Sequence, residues 1–216
     1  MIDKNTKIYC SFAKMAGNFG CNIFNKSFIY LNLNCIYKSF SVENIKKALE
    51  CVRVLDIKGC AVTMPYKIEC LKYVDEISEE VKEIGSANTI LNNGFLNAFN
   101  TDWYAAFCVL KECNNKKVYI LGDGGYAKAV LYAALKLNLY CEKITRQNWN
   151  DIGDIKESIV YNCTPVENVI IDKTNIFIDC NIKTYTGKKL ALLQASKQFE
   201  MYTGLSFPID IFKDVQ

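Results

Sequence analysis

No histidine occurs anywhere in the 216 residues. That excludes every mechanism that needs imidazole, Ser-His-Asp triads and His-ligated zinc among them. It leaves acid–base work to Lys, Asp, Glu, Tyr or Cys. A basic block or arginine-rich stripe is also lacking. The 26 Lys and Arg are interspersed with 23 Asp and Glu for a net charge of +3, so nucleic acid is not the expected partner. No uninterrupted apolar run is long enough to cross a bilayer, and Met1–Lys7 lacks the apolar core of a signal peptide. Paired CxxC spacing is missing too: the 11 cysteines are odd in number and scattered singly. Several (Cys60, Cys108, Cys163, Cys180) sit in apolar runs, where a thiol behaves as a small hydrophobe. A reduced, cytoplasmic protein is expected, with no metal and no membrane partner.

Half of the residues are hydrophobic, enough for a core without disulfides, and the length suits one large domain or two small ones. Ile29–Tyr37 alternates apolar and polar residues at its start and predicts a half-buried strand. Ser41 offers an N-cap for a helix with Val42, Ile45, Leu49 and Val52 on one face. Ile57–Thr63 predicts a second strand, stopped by Pro65. Glu76–Ile84 reads as a charged, exposed helix, and another helix opens after Thr101 with Trp103, Ala106, Phe107 and Leu110 along one side. Lys117–Leu121 predicts a buried strand and leads into a helix carrying Ala127, Val130, Leu131, Ala134 and Leu135. Ile144, Ile159–Cys163 and Ile176–Cys180 mark further buried strands. A last helix, about Lys188–Tyr202, carries Leu192, Ala195, Phe199 and Tyr202 on one stripe. Strands alternating with helices imply an α/β fold with a parallel sheet. The expected domain boundary lies near Asn100–Trp103.

Between the strand and helix around residue 121 stands Gly122-Asp123-Gly124-Gly125-Tyr126-Ala127, which fits G-x-G-x-x-G/A. Gly122 permits the tight turn, Gly124 lets a pyrophosphate approach the backbone, and Ala127 lets the helix pack close to the sheet. The helix N-terminus then offers unpaired N–H groups to phosphate. A glycine-rich turn without a ligand has the same letters, and the strand and helix flanks favour the nucleotide reading. Asp123 works against it by placing a carboxylate in a loop meant for an anion, unless its side chain points away. The next strand ends near Ile144-Thr145-Arg146-Gln147. An acid there would favour NAD, whereas Arg146 suits the 2′-phosphate of NADP; a solvated surface arginine is the alternative.

Val62-Thr63-Met64-Pro65-Tyr66-Lys67 puts a hydroxyl and an ammonium on the segment leaving a strand. Ala87-Asn88-Thr89 and Asn100-Thr101-Asp102 cluster short polar side chains beside apolar runs. Taken alone, Lys67 and Asp102 also fit solvated charges, Asp102 in the first turn of its helix. Taken in order, VTMPYK (62–67), IGSANTI (84–90), NTD (100–102), ILGDGGYAKAV (120–130), YNCTPV (161–166) and LLQASKQFEMYTG (192–204) resemble the motifs of shikimate dehydrogenases across most of the chain.

The resemblance implies two domains. Residues 1–101 would form a substrate domain, completed by the C-terminal helix at about 188–216. Residues 102–187 would form an NADP-binding, Rossmann-type domain. It implies that Lys67 and Asp102 are the acid–base pair, and that Thr63, Asn88, Gln194 and Asn18 bind substrate. Gly122, Gly124, Gly125, Ala127, Arg146, Thr164 and Gly187 would hold NADP. The implied chemistry is reversible NADP-dependent reduction of 3-dehydroshikimate to shikimate or a closely related ring polyol acid, by a monomer or homodimer.

The chain also departs from the family. Aligned on Asn25 and Phe28, the serine pair that holds the shikimate carboxylate becomes Asn18 and Gly20. Gly20 is expected to leave space for water or a larger group, and restored serines are expected to tighten shikimate. Glu167 replaces a usual glycine, and the stretch from Asp179 to Gly187 is shortened, so the cofactor domain is trimmed. These changes keep open a divergent member that binds a nucleotide or small acid without turnover, or with altered specificity. Retention of Lys67 and Asp102 favours an enzyme, because a binder has no need of that pair.

Overall fold

The computed structural model describes residues 2–113 and 117–215. In chain order the elements are β1 (Lys7–Ala13), α1 (Phe19–Tyr30), β2 (Cys35–Ser41), α2 (Ile45–Val54), β3 (Gly59–Val62), β4 (Glu76–Ile77), α3 (Glu79–Ile84), β5 (Thr89–Asn92), β6 (Leu96–Phe99) and α4 (Asp102–Lys111). They continue as β7 (Val118–Leu121), α5 (Gly125–Lys136), β8 (Cys141–Ile144), β9 (Ile159–Asn162), β10 (Ile176–Asp179) and α6 (Tyr185–Thr203). The chain divides into two compact units, one of Met1–Thr101 with Ala195–Lys213, the other centred on Asp102–Gln194. Among the described residues no helix is long and apolar enough to cross a membrane.

The first unit holds a six-stranded mixed sheet in the order β2-β1-β3-β5-β6-β4. β1 runs parallel to β2 and β3, and β5 runs antiparallel to β3 and β6. Ile45, Leu49 and Val52 of α2 pack into a core with Phe12, Val62 and Ile90. A second cluster is aromatic: Tyr9 stacks on Tyr202 at 4.9 Å and Phe28 lies 5.7 Å from Phe199. The Tyr9 hydroxyl donates to the Tyr202 carbonyl at 2.8 Å. A Cβ added at Gly59 would stand 2.6 Å from the Tyr202 ring, so the absent side chain is what lets the end of α6 reach the sheet. Burying each such ring removes a large apolar area from water, about 1.5–3 kcal/mol per side chain.

Three expectations change here, and one element is new. Ile29–Tyr37 is not one strand: α1 ends at Tyr30 and β2 starts at Cys35. Asn32 takes a left-handed φ of 52° and the Leu33 N–H donates back to Phe28 O at 2.8 Å, which closes the helix inside the alternating run. Ser41 ends β2 instead of capping a helix; the cap of α2 is Asn44, whose side chain accepts from Lys47 N–H at 3.0 Å. The segment Glu76–Ile84 splits into β4 and α3, with Val81 and Ile84 buried. The hairpin β5–β6, which local periodicity does not reveal, fills the stretch between the two polar clusters.

The second unit is a four-stranded, all-parallel sheet in the order β10-β9-β7-β8. Ala106, Val109 and Leu110 of α4 and Ala127, Val130 and Ala134 of α5 cover one face. The other face is covered by Ile152 and Ile155, with Trp149, Val169 and Ile171 packed against them. They lie on a 3₁₀ turn at Trp149–Asp154 and on chain outside helices and strands. β7 lies between β8 and β9, so the chain steps to one side into β8 and then crosses back past β7 to β9. In open parallel sheets that reversal point, at the carboxyl ends of the strands, is where ligands bind.

Candidate active site

The segment after β3 is built from backbone bonds. Thr63 N–H donates to Phe12 O at 3.0 Å and Tyr66 N–H to Thr63 O at 2.8 Å, around a cis Met64–Pro65 bond. The Tyr66 hydroxyl reaches Val42 O at 2.6 Å. The Lys67 carbonyl accepts from Ala87 N–H at 2.8 Å, which ties the lysine's backbone to the Ala87-Asn88-Thr89 turn. Thr63 is exposed and Lys67 half-buried.

Asn88 is buried and organises the chain on both sides of the β5–β6 hairpin. Its Oδ1 accepts from Thr101 N–H at 2.7 Å and from the Thr89 hydroxyl at 2.8 Å, while its Nδ2 donates to Thr101 Oγ1 at 3.0 Å. Asn100 donates to Ser86 O at 2.9 Å. The loop before α4 is thereby held by side-chain amides where no sheet ladder reaches. Asp102 comes directly after Thr101 as the first residue of α4, 3% exposed, where a carboxylate meets the positive end of the helix dipole.

In the second unit, Gly122 leaves β7 with φ of 104°, a conformation that favours glycine. A Cβ there would also stand 2.9 Å from the Thr164 methyl. Thr164 is locked by its own neighbour: N–H and hydroxyl both donate to Asn162 Oδ1, at 3.0 and 2.7 Å. A Cβ at Gly124 would meet nothing within 4 Å, so open space lies against the backbone at the start of α5. Ala127 is fully buried against the sheet. Asp123 is paired: Lys143 Nζ donates to its Oδ1 at 2.6 Å, and this bond holds the carboxyl below its ordinary range. Arg146 is exposed just beyond β8. Gly187 lies in the first turn of α6, its N–H donating to Thr184 Oγ1 at 3.0 Å, and Gln194 of the same helix donates to Ala191 O at 3.1 Å.

Residues 18–90 match the family model of the shikimate dehydrogenase substrate binding domain. A shikimate dehydrogenase-like protein of Haemophilus influenzae is 32% identical over 94% of this chain and 93% of its own length. This chain belongs to the shikimate dehydrogenase family. It is an oxidoreductase of that type. The shikimate dehydrogenase (NADP(+)) of Clostridium beijerinckii is 35% identical over 71% of this chain, which spans 65% of that enzyme. A solved structure of a shikimate 5-dehydrogenase-like protein superposes with a TM-score of 0.85 at 29% identity, covering 100% of this chain and 98% of the other.

Within the family's substrate unit, Asn18 is the N-cap residue of α1, exposed, and its side chain makes no capping bond. The open space expected at Gly20 is not there. A Cβ at Gly20 would meet the Tyr37 ring at 3.0 Å and its hydroxyl at 3.2 Å. That ring is pinned: it stacks on Phe24 at 4.5 Å, and the Asn25 amide clamps the Tyr37 backbone through bonds of 2.8 and 2.9 Å. Gly20→Ser therefore overpacks the start of α1. A loss of about 1–3 kcal/mol in chemical denaturation is expected, with no tightening of substrate. A stable Gly20→Ser variant with improved binding would show that Tyr37 yields.

Three residues of these surroundings are not apparent from the sequence pattern. Gln198, 2% exposed, donates from α6 to Asn88 O at 3.1 Å and Thr89 Oγ1 at 2.8 Å. Its available signal was an amide beside the buried stripe of Ala195, Phe199 and Tyr202. Tyr37 and Lys143 carried none, because their partners lie on other elements.

Proposed function

We propose that the chain catalyses reversible, NADP-dependent reduction of 3-dehydroshikimate to shikimate or a closely related ring polyol acid. The observation that carries this reading is the bonded framework of the first unit that joins the Lys67 segment to Thr101. The Lys67 backbone is bonded to the turn that bears Asn88, and Asn88 bonds the residue immediately before Asp102. In this reading residues 1–101 with the C-terminal helix form the substrate domain, and 102–187 the cofactor domain.

The residues present fit NADP. Open space faces Gly124, Asp123 is neutralised, and Arg146 stands after β8 with Thr145 and Gln147 beside it and no acid. Gly122, Gly125, Ala127, Thr164 and Gly187 would complete the cradle. NADPH, when bound, supplies the hydride. The carbonyl oxygen then becomes an alkoxide and needs a proton, which Lys67 donates; Asp102 orients the ammonium and accepts from a substrate hydroxyl. Thr63, Asn88 and Gln194 hold the ring hydroxyls, and the Asn18 amide donates to the acid group. Gly20 brings no hydroxyl of its own to the family's serine position, and the Tyr37 hydroxyl lies 3.2 Å from where a Gly20 Cβ would stand, which favours a substrate whose acid group is held differently.

The test is purified protein with shikimate and NADP, read by absorbance of the reduced nicotinamide. Turnover supports the reading, and binding of NADP without turnover of shikimate moves the chain to altered specificity. Arg146→Ala is expected to weaken NADP by about tenfold or more, one charge-assisted contact being worth about 1.5–3 kcal/mol, and to leave NAD nearly unchanged. Equal effects on both dinucleotides would remove Arg146 from the 2′-phosphate.

A further inference from the structure

Asp123 is the residue of the glycine-rich turn least suited to an anion site, and only the fold provides its answer. Lys143 is opposite Ile120 in the β7–β8 register, one position before Ile144, and Gly122 N–H donates to Ile144 O at 2.8 Å. The two strand ends are thus tied together where the turn begins. From there the Lys143 ammonium reaches Asp123 Oδ1 at 2.6 Å. The side chains are 37% and 59% exposed, and a pair so solvated contributes little to stability. Its geometry makes more sense as a device of the turn than of the fold.

We infer that Lys143 is a positioning residue for the cofactor's pyrophosphate: it cancels the Asp123 carboxylate and draws it toward β8, away from the open backbone at Gly124. The inference rests on the dinucleotide reading above. An uncompensated carboxylate beside the N-terminus of α5 opposes any incoming diphosphate, because like charges repel whatever the rest of the ligand carries. Lys143 and Arg146 then divide the work. Arg146 answers the 2′-phosphate and so separates NADP from NAD. Lys143 answers the shared diphosphate and treats NADP, NAD and ADP alike.

The experiment is calorimetric titration of NADP, NAD and ADP, without shikimate, into wild type, Lys143→Met, Asp123→Asn and the double variant. Thermal melts accompany each, and all four are expected to melt within a few degrees of one another. Lys143→Met is expected to weaken all three ligands by a common factor of about ten, the scale of one partly screened charge interaction at a protein surface. Asp123→Asn binds as well as wild type or more tightly, and the double variant returns to within about threefold of Asp123→Asn. An equal loss from Lys143→Met with and without Asp123 would mean that the lysine touches the ligand itself, and overturns the inference. So would no loss at all, a loss confined to NADP, or weaker binding by Asp123→Asn. Wild type that binds none of the three ligands sinks the dinucleotide reading itself, a failure distinct from those of the variants.

Discussion

Lys67→Ala is expected to lower kcat by about 10²–10⁴, the usual range for a general acid–base group, while KM for the ring substrate moves by less than about tenfold. The asymmetry reflects when the proton is needed. The ground-state ketone requires only a weak donor, and the alkoxide that forms as hydride arrives requires a full proton. An interaction realised mainly in the transition state acts on kcat. The substitution leaves the surrounding backbone intact, because Lys67 is held there through its carbonyl, which still accepts from Ala87 N–H. The buried bonds of Asn88 to Thr101 and Thr89 do not involve the lysine side chain. Steady-state kinetics with shikimate and NADP decide it. A parallel loss of kcat and of substrate affinity would make Lys67 a clamp on the substrate, and unchanged kcat would remove it from the chemistry.

Gly187→Ala is expected to destabilise the second unit by more than about 3 kcal/mol, lowering its melting temperature by about 10 °C or more. A Cβ at this position would overlap the backbone carbonyl of Asn181, and no side-chain rotation relieves an overlap with main chain. The turn from β10 into α6 has no slack with which to move. Asp179 N–H donates to Thr186 Oγ1 at 2.9 Å, and Thr186 returns a bond to Asp179 O at 3.0 Å. Thr184 donates through both N–H and hydroxyl to Asn181 O, at 2.9 and 2.7 Å. To admit one methyl group the chain must give up these bonds or unwind the first turn of α6. Calorimetric unfolding measures it, and a variant melting within a few degrees of wild type would contradict the close approach.

The alternation of the second half is legible in the residues alone, because buried parallel strands and their covering helices write their periods into local sequence. Val118–Leu121, the glycine turn and the stripe Ala127, Val130, Ala134 are contiguous, and each element's burial is set by its own residues. The first unit is less legible. Ile29–Tyr37 joins a helix end to a strand start, and its alternation conceals the left-handed Asn32 that separates them. β5 and β6 are four residues each and carry too little pattern to stand out.

The sequence by itself determined the α/β class, the glycine-rich strand-to-helix turn, the absence of imidazole chemistry and the ordered motifs around Lys67, Asn88 and Asp102. These are properties of residue type and local spacing, which survive without knowledge of neighbours. Tertiary structure alone decided that Tyr37 fills the place beside Gly20, that Lys143 answers Asp123, and that Gln198 holds the Asn88 turn. In each case the two partners lie 17, 20 and 110 positions apart on different elements. Whether a glycine leaves a gap or a carboxylate repels depends on what another strand or helix brings to it, and that distance is set by packing of the whole unit.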